Sequence, residues 1–335
     1  MHYLITGHTG YKGSWLSLML KMQGHEVSGI SLNPQQKSLF VQTGLEGTFK
    51  HDFRIDIRNK EDLAKAIQAI NPDIIIHLAA QPLVRESYKH PVETFETNVI
   101  GTLNVLEATR ELNNLQAALI ITTDKVYKNH NHLRGYVEND ELGGDDPYSA
   151  SKAAADLATQ SWIKSFAKIP MAIARAGNVI GGGDWAIDRI IPDLVNAYSN
   201  NELPTLRYPD AIRPWQHVLD CLNGYLKLID HMLATGGGGE WNFGPRLDSK
   251  HSVGDLSKAV ASKYDITGKA WNLEAVLQPH EAGYLLLDSS KSRSELNWND
   301  KLDFTQTIDW TVDWYKSDKQ ALDVTRLQIS DYFNA

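Results

Sequence analysis

HYLITGHTGYKG (His2–Gly13) is the stretch on which the fold turns. HYLIT (His2–Thr6) is a short apolar run of strand character, and GSWLSLMLKMQG, beginning at Gly13, carries apolar residues at helical spacing. Glycines at positions 7, 10 and 13 punctuate the turn between them. In that setting Gly7 suits a tight turn and Gly10 a close approach of backbone to a pyrophosphate. Gly13 suits contact between helix and strand, and the helix N-terminus that follows attracts anions. The spacing is G-x-x-G-x-x-G rather than G-x-G-x-x-G, and the strand–turn–helix context carries more weight than the glycine count.

The same alternation continues outward. EVSGI (Glu26–Ile30) is expected as a strand and KEDLAKAIQAIN (Lys60–Asn71) as a helix, followed by an isoleucine-rich strand in PDIIIHLAA. A long helix is expected over Thr94–Leu112, a strand over AALIITT (Ala117–Thr123), a helix over Tyr148–Lys168 and a strand over MAIARAG (Met171–Gly177). Strands alternating with helices imply βαβ units, and strands apolar on both faces imply a covered parallel sheet. The expected class is therefore α/β, a Rossmann-type doubly wound parallel sheet. Residues 1–177 would form the dinucleotide-binding domain, to which later segments can return. Residues 178–335, irregular and loop-rich with helices over Arg189–Tyr198 and Val218–Leu233, would form a smaller mixed α/β substrate-binding region. The run Gly236–Gly239 is expected as a flexible connector.

Composition removes several function classes. A chain of 335 residues with 42% hydrophobic residues can bury a large core, which argues against disorder. Its 33 basic against 41 acidic residues, net −8, disfavour nucleic acid and anionic membrane surfaces as partners. Cys221 is the only cysteine, so no intramolecular disulfide and no cysteine-based zinc site can form, and no metal is expected. The chain shows no leader pattern and no apolar run of membrane-spanning length, so a cytoplasmic location is the expectation.

The chemistry is concentrated in DPYSASKAAAD (Asp146–Asp156). Tyr148 and Lys152 stand four residues apart, one helical turn, and share a face. A lysine close to a phenol favours the phenolate, which would give a proton acceptor at neutral pH. Asp56, in RIDIRN, offers a polar contact to the adenine side of a dinucleotide. The second strand ends in GISLNP without the acidic residue that would mark NAD or an arginine that would mark NADP, so residue chemistry alone leaves the two open.

Together, TGHTGYKG, HLAAQ, TTDKVY and YSASK resemble the extended short-chain dehydrogenase/reductase superfamily. HLAAQPLVRESY, ETNVIGTLNVLEA, RAGNVIGGGDWAIDRIIPD, RPWQHV, NFGP and PHEAGYLLLDSSK narrow the resemblance to its sugar-nucleotide dehydratase/epimerase branch, in particular to the CDP-glucose 4,6-dehydratases, over nearly the whole chain. That resemblance implies NAD as cofactor, a nucleotide-sugar substrate with a CDP-hexose favoured, a role in deoxysugar supply for lipopolysaccharide and related surface polysaccharides, and a homodimer pairing the helices Thr94–Leu112 and Tyr148–Lys168. It implies cofactor contacts from Gly7, Thr9, Gly10, Tyr11, Lys12, Gly13, Asp56, Ile57, Leu78, Ala79, Ala80, Gln81, Tyr148 and Lys152.

For catalysis the resemblance implies Tyr148 as the base at the sugar's C4 hydroxyl, Lys152 beside it, and Thr123 bonded to the same hydroxyl. Asp124 would be the acid for the departing C6 hydroxyl, and Lys125 would serve C5 as base or as a cation beside the enolate. Arg85, Asn178, Arg189, Arg213, His217, His280, Glu281 and Tyr284 would bind substrate, the arginines through their planar forks. The chain departs from the pattern at Asp145, where histidine is expected, at Gly283 and Leu286, where histidine and lysine are expected, and at Val126 in place of cysteine. These departures bear on the base and the hexose and leave open a dehydratase acting on another nucleotide sugar. An epimerase or reductase on the same fold is the alternative, as is a non-catalytic nucleotide-binding protein. Asp124–Lys125 argues against the first and the Tyr148–Lys152 pair against the second.

Overall fold

The computed structural model describes residues 1–274 and 283–334. In chain order its principal elements begin with β1 (His2–Thr6), α1 (Tyr11–Met22), β2 (Glu26–Ser31), β3 (Asp52–Arg54), α2 (Lys60–Ile70) and β4 (Ile74–His77). They continue with α3 (Gly101–Thr109), β5 (Ala117–Ile121), α4 (Pro147–Phe166), β6 (Met171–Ala176), α5 (Val218–Thr235) and β7 (Gly239–Phe243). The seven strands form one sheet in the order β7-β6-β5-β4-β1-β2-β3, parallel throughout. From β1 the chain moves outward to β2 and β3, then returns to β4 on the other side. The C-terminal ends of β1 and β4 thus flank the switch point, where doubly wound sheets bind ligands.

Both faces of the sheet are covered, which is why the strands are apolar without interruption. Tyr3, Ile5, Ile74, Ile76, Leu119 and Ile121 face one buried core with α1 and α5. Leu4, Ile75, Ala118 and Ile120 face the other, with α2 and α3. Full burial of such a side chain is worth about 1.5–3 kcal/mol. Residues of helices Ile190–Ser199, Val253–Lys263 and Phe304–Lys316 make a separate core beyond the sheet.

Three local findings differ from the expectations. β3, three residues long, is too short for periodicity to reveal. The Thr94–Leu112 helix is three pieces: Pro91–Phe95, a π turn over Glu96–Ile100, and α3. At Gly101 a Cβ would lie 2.5 Å from Ile57 Cδ1, so a larger residue there would have to displace the Ile57 side chain. The glycine run is ordered as an α5–β7 connection: Gly236 caps α5 with φ +71°, and Gly239 opens β7. α5 and β7, beyond residue 177, belong to the central sheet and its cover. No helix among the described residues is long and apolar enough to cross a membrane.

Candidate active site

The reactive row is built where β5 ends and α4 begins. Thr123 is extended (φ −148°, ψ 160°) and is followed by a single 3-10 turn, Asp124–Val126. Asp146 caps α4 by accepting the Ser149 amide at 2.9 Å, and Pro147 occupies the first helical position. That start sets Tyr148 in the first turn and Lys152 one turn later. Thr123 Oγ1 donates to Asp124 Oδ1 at 2.9 Å. Lys152 Nζ donates to the Ile121 carbonyl at 2.9 Å. Thr123, Asp124, Lys125, Tyr148 and Lys152 all line one cavity of about 360 Å³.

Burial governs the electrostatics of this row. It pushes the Tyr148 phenol up to about 12, against opposing pulls from Thr123 and Arg189. It pushes the Lys152 ammonium down to about 8, with Lys12 acting in the same direction and Asp156 against it. Burial also raises the Asp124 carboxyl, opposed chiefly by Lys125. Asp124 Oδ2 is buried without a partner, so the carboxyl has one oxygen fixed by Thr123 and one free for a ligand. Tyr148 and Lys152 share a face, but the amine is engaged by a backbone carbonyl, and desolvation dominates the phenol.

The loop after β1 is closed against side chains. Gly7 has φ +79°, and a Cβ there would lie 2.8 Å from the Ala79 amide nitrogen. A Cβ on Gly13 would lie 2.3 Å from the Gly7 carbonyl oxygen. Gly10 provides no side-chain cap for α1, so its first-turn amides are available to an anion. Tyr11, Lys12, Leu78 and Ala80 line the cavity beside this loop. These features fit the pyrophosphate of a dinucleotide. Thr9 Oγ1 bonds Ser31 Oγ at 2.7 Å and donates to the Leu32 carbonyl at 3.1 Å, tying the loop to the end of β2. Lys12 Nζ donates to Tyr225 at 3.3 Å. Asp56 is gripped by Arg58 Nη2 at 2.6 Å, Ile57 is packed under Gly101, and Gln81 donates to Thr94 at 3.0 Å. These three do not line the cavity.

Arg85, Asn178, Arg189 and Arg213 line the same cavity. Arg85 Nη1 meets Asp188 Oδ1 at 2.8 Å, and Arg189 Nη1 meets Asp184 Oδ2 at 3.4 Å. Arg213 is buried and donates to the Ile212 carbonyl at 2.9 Å. His217 does not line this cavity: burial pushes its imidazole down to about 3, and Nδ1 accepts the Leu219 amide at the start of α5. Tyr284 also stands apart from it, donating to the Leu133 carbonyl at 3.1 Å. His280 and Glu281 lie outside the described residues. Asp145, one of the departures, lines a side cavity of about 70 Å³ that shares Lys125 and Arg213 with the main one. Val126 and Leu286 are simply buried in packing. Among the described residues no group of three His, Cys, Asp or Glu side chains could hold a metal ion.

One participant was missed. Asn98 sits in the π turn, accepts the Gln81 amide at 2.8 Å and donates to Ser151 Oγ at 2.8 Å. It joins the β4 loop to the residue preceding Lys152. The signal was Asn98 standing directly before Val99 and Ile100 in ETNVIGT, within the expected helix.

The model of the NAD dependent epimerase/dehydratase family matches residues 3–244, well over half of the chain. The chain belongs to this family. It is 41% identical to the CDP-glucose 4,6-dehydratase of Salmonella typhimurium, over 99% of this chain and 96% of that protein. It is 28% identical to a probable dTDP-glucose 4,6-dehydratase of Sinorhizobium fredii, over 94% and 93%. Among solved structures, the dTDP-glucose 4,6-dehydratase of Bacillus anthracis in complex with NAD superposes with a TM-score of 0.81 at 22% identity, covering 97% of this chain and 99% of that one. The Thermus thermophilus UDP-glucose 4-epimerase complex with NAD gives 0.81 at 24%, covering 95% and 100%. At these identities the two structures establish the Rossmann-type fold that this family member shares with them.

Proposed function

We propose that this protein is a sugar-nucleotide 4,6-dehydratase that converts CDP-D-glucose to CDP-4-keto-6-deoxy-D-glucose and water. The observation that carries the reading is Asp124: a buried carboxyl, fixed by Thr123 at 2.9 Å through one oxygen and unpartnered at the other, in the same cavity as Tyr148 and Lys152. A C4 epimerase or reductase has no use for an acid at C6. The choice of CDP-glucose is supported by the 41% identity to a protein of that activity over nearly the full length of both.

In this reading the glycine loop Gly7–Gly13, with Tyr11 and Lys12 beside it, would hold NAD, which would supply the hydride acceptor for C4 and the hydride donor for C6. Tyr148 receives the C4 hydroxyl proton, with Thr123 bonded to the same oxygen and Lys152 as the nearby cation. The C4 ketone acidifies the C5 proton, and Lys125 acts there. Asp124 protonates the departing C6 oxygen. Arg189 and Arg213, with Asn178 as a neutral donor, hold the diphosphate, and Arg85 exchanges Asp188 for substrate. Residues 1–177 supply most of the cofactor site and residues 178–335 most of the substrate wall. The protein works in the cytoplasm as a homodimer, pairing the helices around Ile100, Leu157 and Phe166, which are 49%, 52% and 47% exposed in the single chain.

The test is a panel of CDP-, dTDP-, GDP- and UDP-hexoses incubated with enzyme and NAD and followed by mass. CDP-glucose should lose one water fastest. Loss of water from none of them rejects dehydration, and preference for another base rejects the CDP assignment alone.

A further inference from the structure

Beneath the reactive row lies a buried ionic network that no catalytic step uses. Asp156 and Arg175 are both fully buried, one on α4 and the other on β6. Arg175 Nη2 reaches Asp156 Oδ1 at 2.7 Å and Nε reaches Oδ2 at 2.9 Å, a bidentate pair. Its further contacts lie on the two sides of TTDKVY. Thr122 Oγ1, just before Thr123, donates to Asp156 Oδ2 at 2.9 Å. Tyr127, just after the 3-10 turn, accepts Arg175 Nη1 at 2.9 Å and donates to Asn242 Oδ1 on β7 at 2.7 Å. Gln160 adds a donor to Asp156 Oδ1 at 2.8 Å, and Arg175 Nη1 also reaches the Glu138 carbonyl at 2.8 Å.

We propose that the Asp156–Arg175 pair is a positioning device that clamps both flanks of Thr123–Asp124–Lys125 against the helix bearing Tyr148 and Lys152. A buried ion pair contributes little net stability compared with an apolar pair of the same volume, so stability is a weak reason for its presence. Register is a stronger one, since the acid and the base come from different elements and must meet one hexose. Asp156 has a second effect, because it is four residues beyond Lys152 and opposes the depression of that amine. The other groups facing Lys152 are Lys12 from α1, His77 from β4 and Tyr148 from α4 itself.

The inference rests on the dehydratase reading, and its test separates the two, because wild-type turnover is the reference throughout. The double variant Asp156→Leu/Arg175→Met removes both charges together. Its thermal midpoint and bound NAD should stay near wild type, and KM for CDP-glucose should hardly move. kcat should fall by about 10²-fold, the scale of a 1 Å misplacement of reacting groups. The alkaline limb of the kcat profile should move to lower pH as Lys152 loses its carboxylate neighbour. A folded double variant with wild-type kcat and an unmoved limb would overturn the proposal. If the double variant does not fold, Thr122→Val decides. It breaks one hydrogen bond at one flank, and should lower kcat without raising KM, with Thr122→Ser restoring it. Equal activity of the Val and Ser variants would overturn the clamp as well.

Discussion

Replacing Asp124 by asparagine separates the two halves of the reaction. The side chain is 1% exposed, so the substitution is judged inside a packed site. Asparagine preserves the shape and can keep the Thr123 hydrogen bond through Oδ1, while an amide replaces the unpartnered Oδ2. Burial raises the carboxyl's pKa in the fold, so the ionised form is a burden on stability. Such a group contributes stability below its unfolded pKa, near the ordinary value of 3.8, and loses it as pH rises through the folded one. At neutral pH the variant should therefore melt no lower than wild type, and its relative advantage should fade on acidification. Catalysis moves the other way. Loss of a positioned general acid slows its own step by about 10²–10⁴-fold, about 3–5 kcal/mol in the barrier. The C4 oxidation does not need that acid. On rapid mixing with CDP-glucose, the absorbance of reduced nicotinamide should rise at nearly the wild-type rate and then persist, while water loss followed by mass is slow. Elimination at the wild-type rate, or oxidation slowed as much as elimination, would refute the assignment.

Lys152→Met should show a stability gap that depends on pH. Depression of the amine from 10.5 to about 8 penalises the wild type by up to about 3 kcal/mol below pH 8, offset in part by the lost bond to Ile121. Denaturant titrations should find the variant's relative advantage falling between pH 8 and 10.5, and a constant gap would contradict the buried ammonium. Gly13→Ala puts a Cβ 2.3 Å from the Gly7 carbonyl and 2.7 Å from His8 Cα, both backbone atoms. Overpacking of about 1–3 kcal/mol should appear as weaker NAD binding in a fluorescence titration, and unchanged affinity would refute the close packing of that loop. Leu157→Asp should convert a dimer to a monomer by light scattering. A wild-type protein already monomeric at micromolar concentration would refute the dimer.

How much of this was legible in the sequence depends on the range of each interaction. Strand, turn and helix around Gly7–Gly13 are local, and β1, α1, α2, β4, β5, α4 and β6 follow from periodicity within a few residues of each end. β3 was invisible because three residues carry no period. The break at Glu96–Ile100 was invisible because a π turn keeps helical composition, and its role depends on Ser151, which is 53 positions from Asn98. The return of β7 to the sheet depends on pairing with β6, a contact no local pattern encodes. In the site, the resemblance gathered Thr123, Asp124, Lys125, Tyr148 and Lys152, and all five line one cavity. Spacing placed Lys152 on the face of Tyr148 but could not say that its amine would turn to the Ile121 carbonyl. Nor could it see that Arg58 would occupy Asp56, or that His217 would lie behind the cavity wall.

The central claim is that one hexose gives up a hydride at C4 and regains it at C6 within one active site. The direct measurement uses CDP-glucose deuterated at C4, incubated with enzyme and unlabelled NAD. The account predicts a product one water lighter that keeps the deuterium, now at C6. Product with ordinary hydrogen at C6, or an isomer of unchanged mass, would contradict it.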